Sequence, residues 1–148
     1  MLNAEEKEKV IQAEGMLANG DVGGAEQYVE AWLTASPDSP FAKTMKGRIM
    51  FGKGERAAGK ALVKEGVENA PESAWIWSQL GSMLRDEGDW KAALEGFQKG
   101  LAAEPSATVL YADIGDCHAL GEEYAEAAAA YRKVLDNQDN VPRIHYMY

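Results

Sequence analysis

Apolar positions in this 148-residue chain recur with helical spacing and are interrupted at regular intervals. In the stretch 74–107, Trp77, Leu80, Gly81 and Leu84 lie three or four residues apart, and the same spacing resumes after Gly88-Asp89 through Ala93, Leu94, Phe97 and Leu101. Each run therefore predicts a helix with one apolar stripe. No segment of useful length alternates apolar and polar residues as a strand would.

The interruptions are themselves periodic. Gly20, Gly54 and Gly88 lie 34 residues apart, as do Gly47, Gly81 and Gly115, and Pro37, Pro71 and Pro105. A fourth column holds only small residues, Ala25, Gly59, Ala93 and Ala127, and a fifth holds Leu33, Val67, Leu101 and Leu135. A fixed period of this size marks stacked units that share one core. The units run 6–39, 40–73, 74–107 and 108–141 within a single domain spanning 1–148, and residues 142–148 occupy the place of the start of a fifth helix pair.

Each unit is predicted to be a helical hairpin, which makes the chain all-α. A glycine without Cβ ends the first helix in a left-handed conformation, and a proline stops the second because it has no N–H to donate. Ser39-Pro40 and Ser73-Ala74 read as N-cap and first helical residue, and Asn3 with Glu6 reads as a capping box. The Gly81 and Ala93 columns allow two helices to cross closely. Trp77, Phe97, Tyr111, Tyr124 and Tyr131 are the expected fillers around those crossings.

Residues 74–107 carry Trp77, Leu80-Gly81, Leu84, Gly88-Asp89-Trp90, Ala93, Phe97 and Pro105, and in these columns the chain resembles the tetratricopeptide repeat family. Residues 108–141 resemble it through Tyr111, Ile114-Gly115, Tyr124, Ala127 and Tyr131, with His118 in an apolar column and Asp139 in place of the proline. The two earlier units depart further: Lys43 and Lys46, and Lys9, Gln12 and Ala13, stand where large apolar residues are usual. The resemblance covers residues 6–141 and implies a right-handed α-solenoid of four stacked helix-turn-helix repeats, its first helices lining a concave groove. It also implies a module that binds proteins or peptides rather than an enzyme.

Composition narrows the partners. A formal charge of −9 opposes a phosphate backbone and an anionic membrane surface, so neither nucleic acid nor membrane insertion is expected. The opening Met1-Leu2-Asn3-Ala4-Glu5-Glu6 has no basic region followed by an apolar one, and a cytoplasmic location is expected. Cys117 is the one cysteine and His118 and His145 are the only histidines, too few for the usual zinc ligand sets, so no metal or other cofactor is expected.

Two local motifs invite chemistry and are better explained by packing. Gly54-Glu55-Arg56-Ala57-Ala58-Gly59-Lys60-Ala61 fits the spacing of a phosphate-binding loop but ends in alanine instead of a hydroxyl and follows no strand. The period accounts for both of its glycines. Cys117 and His118 are neighbours on a helix, where adjacent side chains diverge by ~100°, and His118 reads as a hydrogen-bonded core histidine with Cys117 as a small buried hydrophobe.

The candidate binding surface consists of first-helix residues outside the packing stripe. These are Phe41, Thr44, Met45, Arg48 and Phe51 in the second unit, Trp75, Ser78, Gln79, Ser82 and Arg85 in the third, and Asp113 and Asp116 in the fourth, beside Val109 and Ala112. Phe41, Met45, Phe51 and Trp75 form an apolar cluster that reads as the anchor site of a peptide groove, with Arg48 and Arg85 as cationic neighbours. Glu14, Asp113 and Asp116 would repel a carboxylate, so an apolar or mixed peptide is expected in preference to an acidic C-terminus. Two alternatives remain open: a self-assembling oligomeric scaffold, and the repeat portion of a larger enzyme such as a transferase. Ile144, Tyr146, Met147 and Tyr148 are the residues expected either to mediate a two-fold homodimer or to lead into further chain.

Overall fold

In the computed structural model, residues 3–139 are described, with side chains described for residues 3–136. The described residues form eight helices: α1 (Ala4–Ala18), α2 (Val22–Ala35), α3 (Pro40–Gly52), α4 (Arg56–Asn69), α5 (Ala74–Asp86), α6 (Trp90–Ala103), α7 (Leu110–Leu120) and α8 (Tyr124–Asp139). Four antiparallel hairpins stack in order, α2 against α3, α4 against α5 and α6 against α7. First helices also touch directly, α1 on α3 and α3 on α5. The architecture is the all-α solenoid that the period predicts.

Helix ends follow the periodic columns closely. Asn3, Ser39 and Ser73 each accept a hydrogen bond from the N–H three residues on, satisfying donors that the helix leaves free. The fourth unit has Ala107 in that column; α7 has no side-chain cap and begins only at Leu110. Glu6 does not close the expected box on Asn3. Its carboxylate instead accepts the Ser39 hydroxyl at 2.7 Å, tying the first unit to the second.

All four hairpin turns close by the same backbone bond, from the N–H of Asp21, Glu55, Asp89 and Glu123 to the carbonyl five residues earlier. That closure needs a left-handed residue one position before the donor. Gly20, Gly54 and Gly88 supply it with φ of 79°, 99° and 83°, whereas the fourth turn uses Glu122 at φ 61°.

Within each hairpin a small residue sets the crossing. A Cβ on Gly81 would fall 2.7 Å from the Phe97 ring, and one on Gly115 would fall 2.6 Å from the Tyr131 ring. In the second hairpin both crossing residues are glycines, and a Cβ on Gly47 would fall 2.5 Å from the Gly59 carbonyl. There backbone meets backbone. The closeness replaces the aromatic filler that this unit lacks, since Val63 stands in the column of Phe97.

One apolar core runs from Val10 and Ala13 through Val29, Trp32, Met45 and Val63 to Ile76 and Met83, and a second joins Phe97, Leu110, Ile114, Cys117 and Ala130; Leu84 packs against both. Lys43 and Lys46 avoid this interior by pairing at the surface, Lys43 with Glu65 at 2.9 Å and Lys46 with Glu30 at 3.3 Å. Two expected fillers are not core residues. Tyr124 is 66% exposed and Tyr131 is 37% exposed, because no described residue packs over the outer face of α8.

Cys117 is fully buried, and burial pushes its thiol up to about 11 despite the favourable charge of Arg85. A thiol so placed is almost wholly protonated at neutral pH and is not a nucleophile. His118 is half-buried, not core, and its Nδ1 lies 2.8 Å from the Glu123 carboxylate.

Gly81→Leu should lower stability by at least ~1 to 3 kcal/mol in urea unfolding, because the side chain must displace the Phe97 ring. Glu122→Gly should raise it by about 0.5 to 1 kcal/mol, because glycine adopts a positive φ without the Cβ penalty. An unchanged midpoint for Gly81→Leu would contradict the assigned crossing. For Cys117, alkylation by iodoacetamide at pH 8 should be at least ~100-fold slower in the native chain than in urea, given a thiol shifted from an ordinary value near 8.5 and shut away from solvent; equal rates would contradict its burial.

Candidate functional site: a concave groove

The first helices α1, α3 and α5 line one surface of the stack, and where their C-terminal ends converge lies a cavity of about 350 Å³. Leu17, Val22, Ile49, Phe51 and Met83 supply its apolar wall, and Gln79, Ser82 and Asp86 supply polar groups from α5. The period explains this convergence. Leu17 and Phe51 share one 34-residue column with Arg85, and Gly52 shares the next with Asp86, so equivalent ends of successive first helices meet at the same height.

The structure divides the twelve groove candidates. Arg48, Phe51, Gln79 and Ser82 line the cavity, and Trp75, Ser78, Arg85, Asp113 and Asp116 are partly or fully accessible around it or further along the first helices. Phe41, Thr44 and Met45 are not surface groups: they are 2%, 0% and 0% exposed. The buried face of α3 is wider than one stripe. Ala42, Gly47 and Ile49 are buried, as are Ile76, Gly81 and Met83 in the same columns of α5, and Phe41, Thr44 and Met45 join them where α3 packs between α1 and α5. Phe41 packs on Trp75 with ring centroids 6.2 Å apart, and the Thr44 hydroxyl donates to the Pro40 carbonyl at 2.7 Å beside Gly66.

Neither cation of the groove is free. Arg48 pairs with Glu14 of the preceding unit at 2.9 Å, and Arg85 pairs with Asp113 at 3.1 Å and Asp116 at 3.4 Å of the following unit. These pairs stitch first helix to first helix across unit boundaries. Asp116 also accepts the Tyr131 hydroxyl, and that bond is the main reason the phenol is pushed up to about 12. Burial raises Asp113 above its ordinary carboxylate range, opposed by its bond to Arg85.

The phosphate-loop spacing has no phosphate site. Lys60 pairs with Glu87 at 2.6 Å, Gly54 is the left-handed turn residue, and Gly59 is the helix-crossing residue. Among the described residues no group of histidine, cysteine and carboxylates is arranged to hold a metal ion, and no helix is long and apolar enough to cross a membrane. Leu17, Val22, Met83 and Asp86 are groove residues that the subtraction argument missed, although the column shared by Leu17, Phe51 and Arg85 contained the signal for Leu17. Ile144, Tyr146, Met147 and Tyr148 lie outside the described residues.

Comparison with known proteins agrees with this geometry. Residues 78–142 match the family model described as Tetratricopeptide repeat. The human (Homo sapiens) Tetratricopeptide repeat protein 7A is 27% identical over 103 residues, covering 68% of this chain and 12% of that protein. Among solved structures, a crystal structure of MamA protein superposes with a TM-score of 0.72 at 17% identity over 91% of this chain and 74% of that one. A chain in the structure of Naa15/Naa10 bound to HypK-THB superposes with a TM-score of 0.81 at 17% identity, over 94% of this chain and 21% of that one. The chain spans less than a fifth of the length of the curated relatives it matches. At these identities the structural likeness shows the fold. The repeat columns, the match of residues 78–142 and the four stacked hairpins agree, and together they support a tetratricopeptide repeat fold for this chain.

Proposed function

We propose that this chain is a protein-interaction module that takes a peptide segment of its partner in the concave groove. The observation that carries the reading is the cavity between α1, α3 and α5: an apolar wall beside the Gln79 amide and the Ser82 hydroxyl, which have no side-chain partner among the described residues. A concave, mostly apolar site with a few unengaged polar groups suits an anchoring side chain and its backbone. Repeat stacking produces such extended concave surfaces as a direct consequence of burying each hairpin against the next. The likeness to a chain solved in an assembly, Naa15/Naa10 bound to HypK-THB, also supports a role in binding partners.

A second reading, self-association through the last hairpin, is favoured by a separate observation. Tyr124, Tyr131 and Leu135 form an exposed stripe on α8, while Trp90, Phe97 and Leu101 in the same columns are covered or half-covered by the hairpin that follows. A second copy packed on that stripe would bury it in the same manner.

Two measurements separate these readings. Peptides selected from a displayed random library should lose at least ~10-fold in affinity when Ser82→Tyr fills the cavity, as expected when a central anchor is displaced, with the melting temperature unchanged; Lys60→Ala should leave their affinity as it was. Indifference to Ser82→Tyr would remove the groove as the site. For the second reading, light scattering should show a mass that rises with concentration and falls to that of a monomer in Tyr124→Glu/Leu135→Glu, whereas a monomer at all concentrations would exclude it.

A further inference from the structure

Charge along the groove is balanced at one end and unbalanced at the other. On α1 and α3 the Glu14 carboxylate meets the Arg48 guanidinium, one anion to one cation. On α5 and α7 the single guanidinium of Arg85 faces both Asp113 and Asp116, while Asp86, on the rim of the cavity, has no ion-pair partner among the described residues. Lys53, the other cation at the cavity, is engaged by Glu26 at 2.9 Å. The helix α7 contributes no lysine or arginine at all. Two carboxylates thus share one cation along α5 and α7, and a third carboxylate, Asp86, stands on the rim of the apolar cavity. The Asp113 carboxyl is raised, first by burial and in smaller part by Asp116, even with Arg85 bonded to it.

We infer that the segment bound in this groove carries an apolar anchor side chain seated between α1, α3 and α5, followed by a lysine or arginine that faces Asp86 and the Asp113–Asp116 pair. The inference rests on the groove reading above and adds the partner's chemistry to it. An acidic segment would set like charges against Asp86 and the Asp113–Asp116 pair, and such repulsion is felt even near a protein surface. A basic residue supplies the missing counter-charge, and its aliphatic stem continues the apolar contact from the cavity.

Four labelled synthetic peptide pools of equal length make the test, titrated into the full chain by fluorescence anisotropy. Three share a central Leu, Phe or Met and are flanked by Lys and Arg, by Asp and Glu, or by Ser and Gln; the fourth keeps the basic flanks but has Ala at the centre. The apolar-basic pool should bind about 10-fold tighter than the apolar-acidic one at low salt. Its margin should collapse at about 1 M salt, where the Debye length is roughly 3 Å. Asp86→Asn should cut the margin about 2- to 5-fold, the scale of one exposed pair, with the neutral pool changing less than the basic one.

Equal or tighter binding of the acidic pool, abolished by Ser82→Tyr, would overturn the basic-partner inference and leave the groove reading intact. Equal binding of the Ala-centred basic pool would also overturn it, since charge alone would then account for the attraction. Binding that survives Ser82→Tyr in every pool, or no binding by any pool, would overturn both.

Discussion

The close crossing of two helices at a residue without a side chain is the constraint on which the rest of this molecule depends. Gly81 against Phe97 and Gly115 against Tyr131 leave no room for even a methyl group. Close approach allows one large ring to fill the space between the helices, and a fully buried residue of that size contributes about 1.5 to 3 kcal/mol. The hairpin formed in this way still has an uncovered apolar face, so it must stack, and stacking aligns the first helices into a groove. Glycine at the crossing therefore sets, at a distance, the spacing of the helices that line the cavity.

The second hairpin shows how the same constraint is met with different residues. Its aromatic filler is replaced by valine, and two of its usual apolar columns hold Lys43 and Lys46. A Gly47–Gly59 crossing compensates by bringing the two backbones into contact. The buried face of α3 also takes in Phe41, Thr44 and Met45. The surface pairs of the two lysines, all between 22% and 61% exposed, contribute at most about 1 kcal/mol each. Burial of the widened face is the larger effect.

That substitution also marks the boundary of what the sequence reveals. Helix number, turn positions and crossing residues were legible because each rests on a backbone requirement: a left-handed turn, a missing Cβ, or a cap. The column of Gly20, Gly54 and Gly88 even identifies Glu122 as the residue that must adopt a positive φ. The width of the buried face of α3 was not legible, because periodicity locates a stripe and cannot show what neighbouring first helices add to it. Phe41 and Met45 of the apolar cluster consequently read as groove residues from sequence and prove to be core. The exposure of Tyr124 was hidden for another reason: a column assigns a packing role, but burial needs a following hairpin, and the described residues end with α8.

Ion pairing explains why the remaining groove has the chemistry it does. Arg48 and Arg85 read from sequence as cationic neighbours of the apolar cluster, yet each is held by carboxylates of a neighbouring unit. Both pairs join consecutive first helices, and at roughly 25% to 50% side-chain exposure they are partly screened by solvent. Their cost to ligand recognition is greater than their contribution to stability, because a guanidinium already engaged by a carboxylate attracts a second one weakly. In the groove reading proposed above, the apolar cavity is thereby left as the main source of affinity. In that reading the surplus carboxylates of α5 and α7 act on selectivity instead, since an exposed charge alters association rate and partner choice more than it alters the depth of binding.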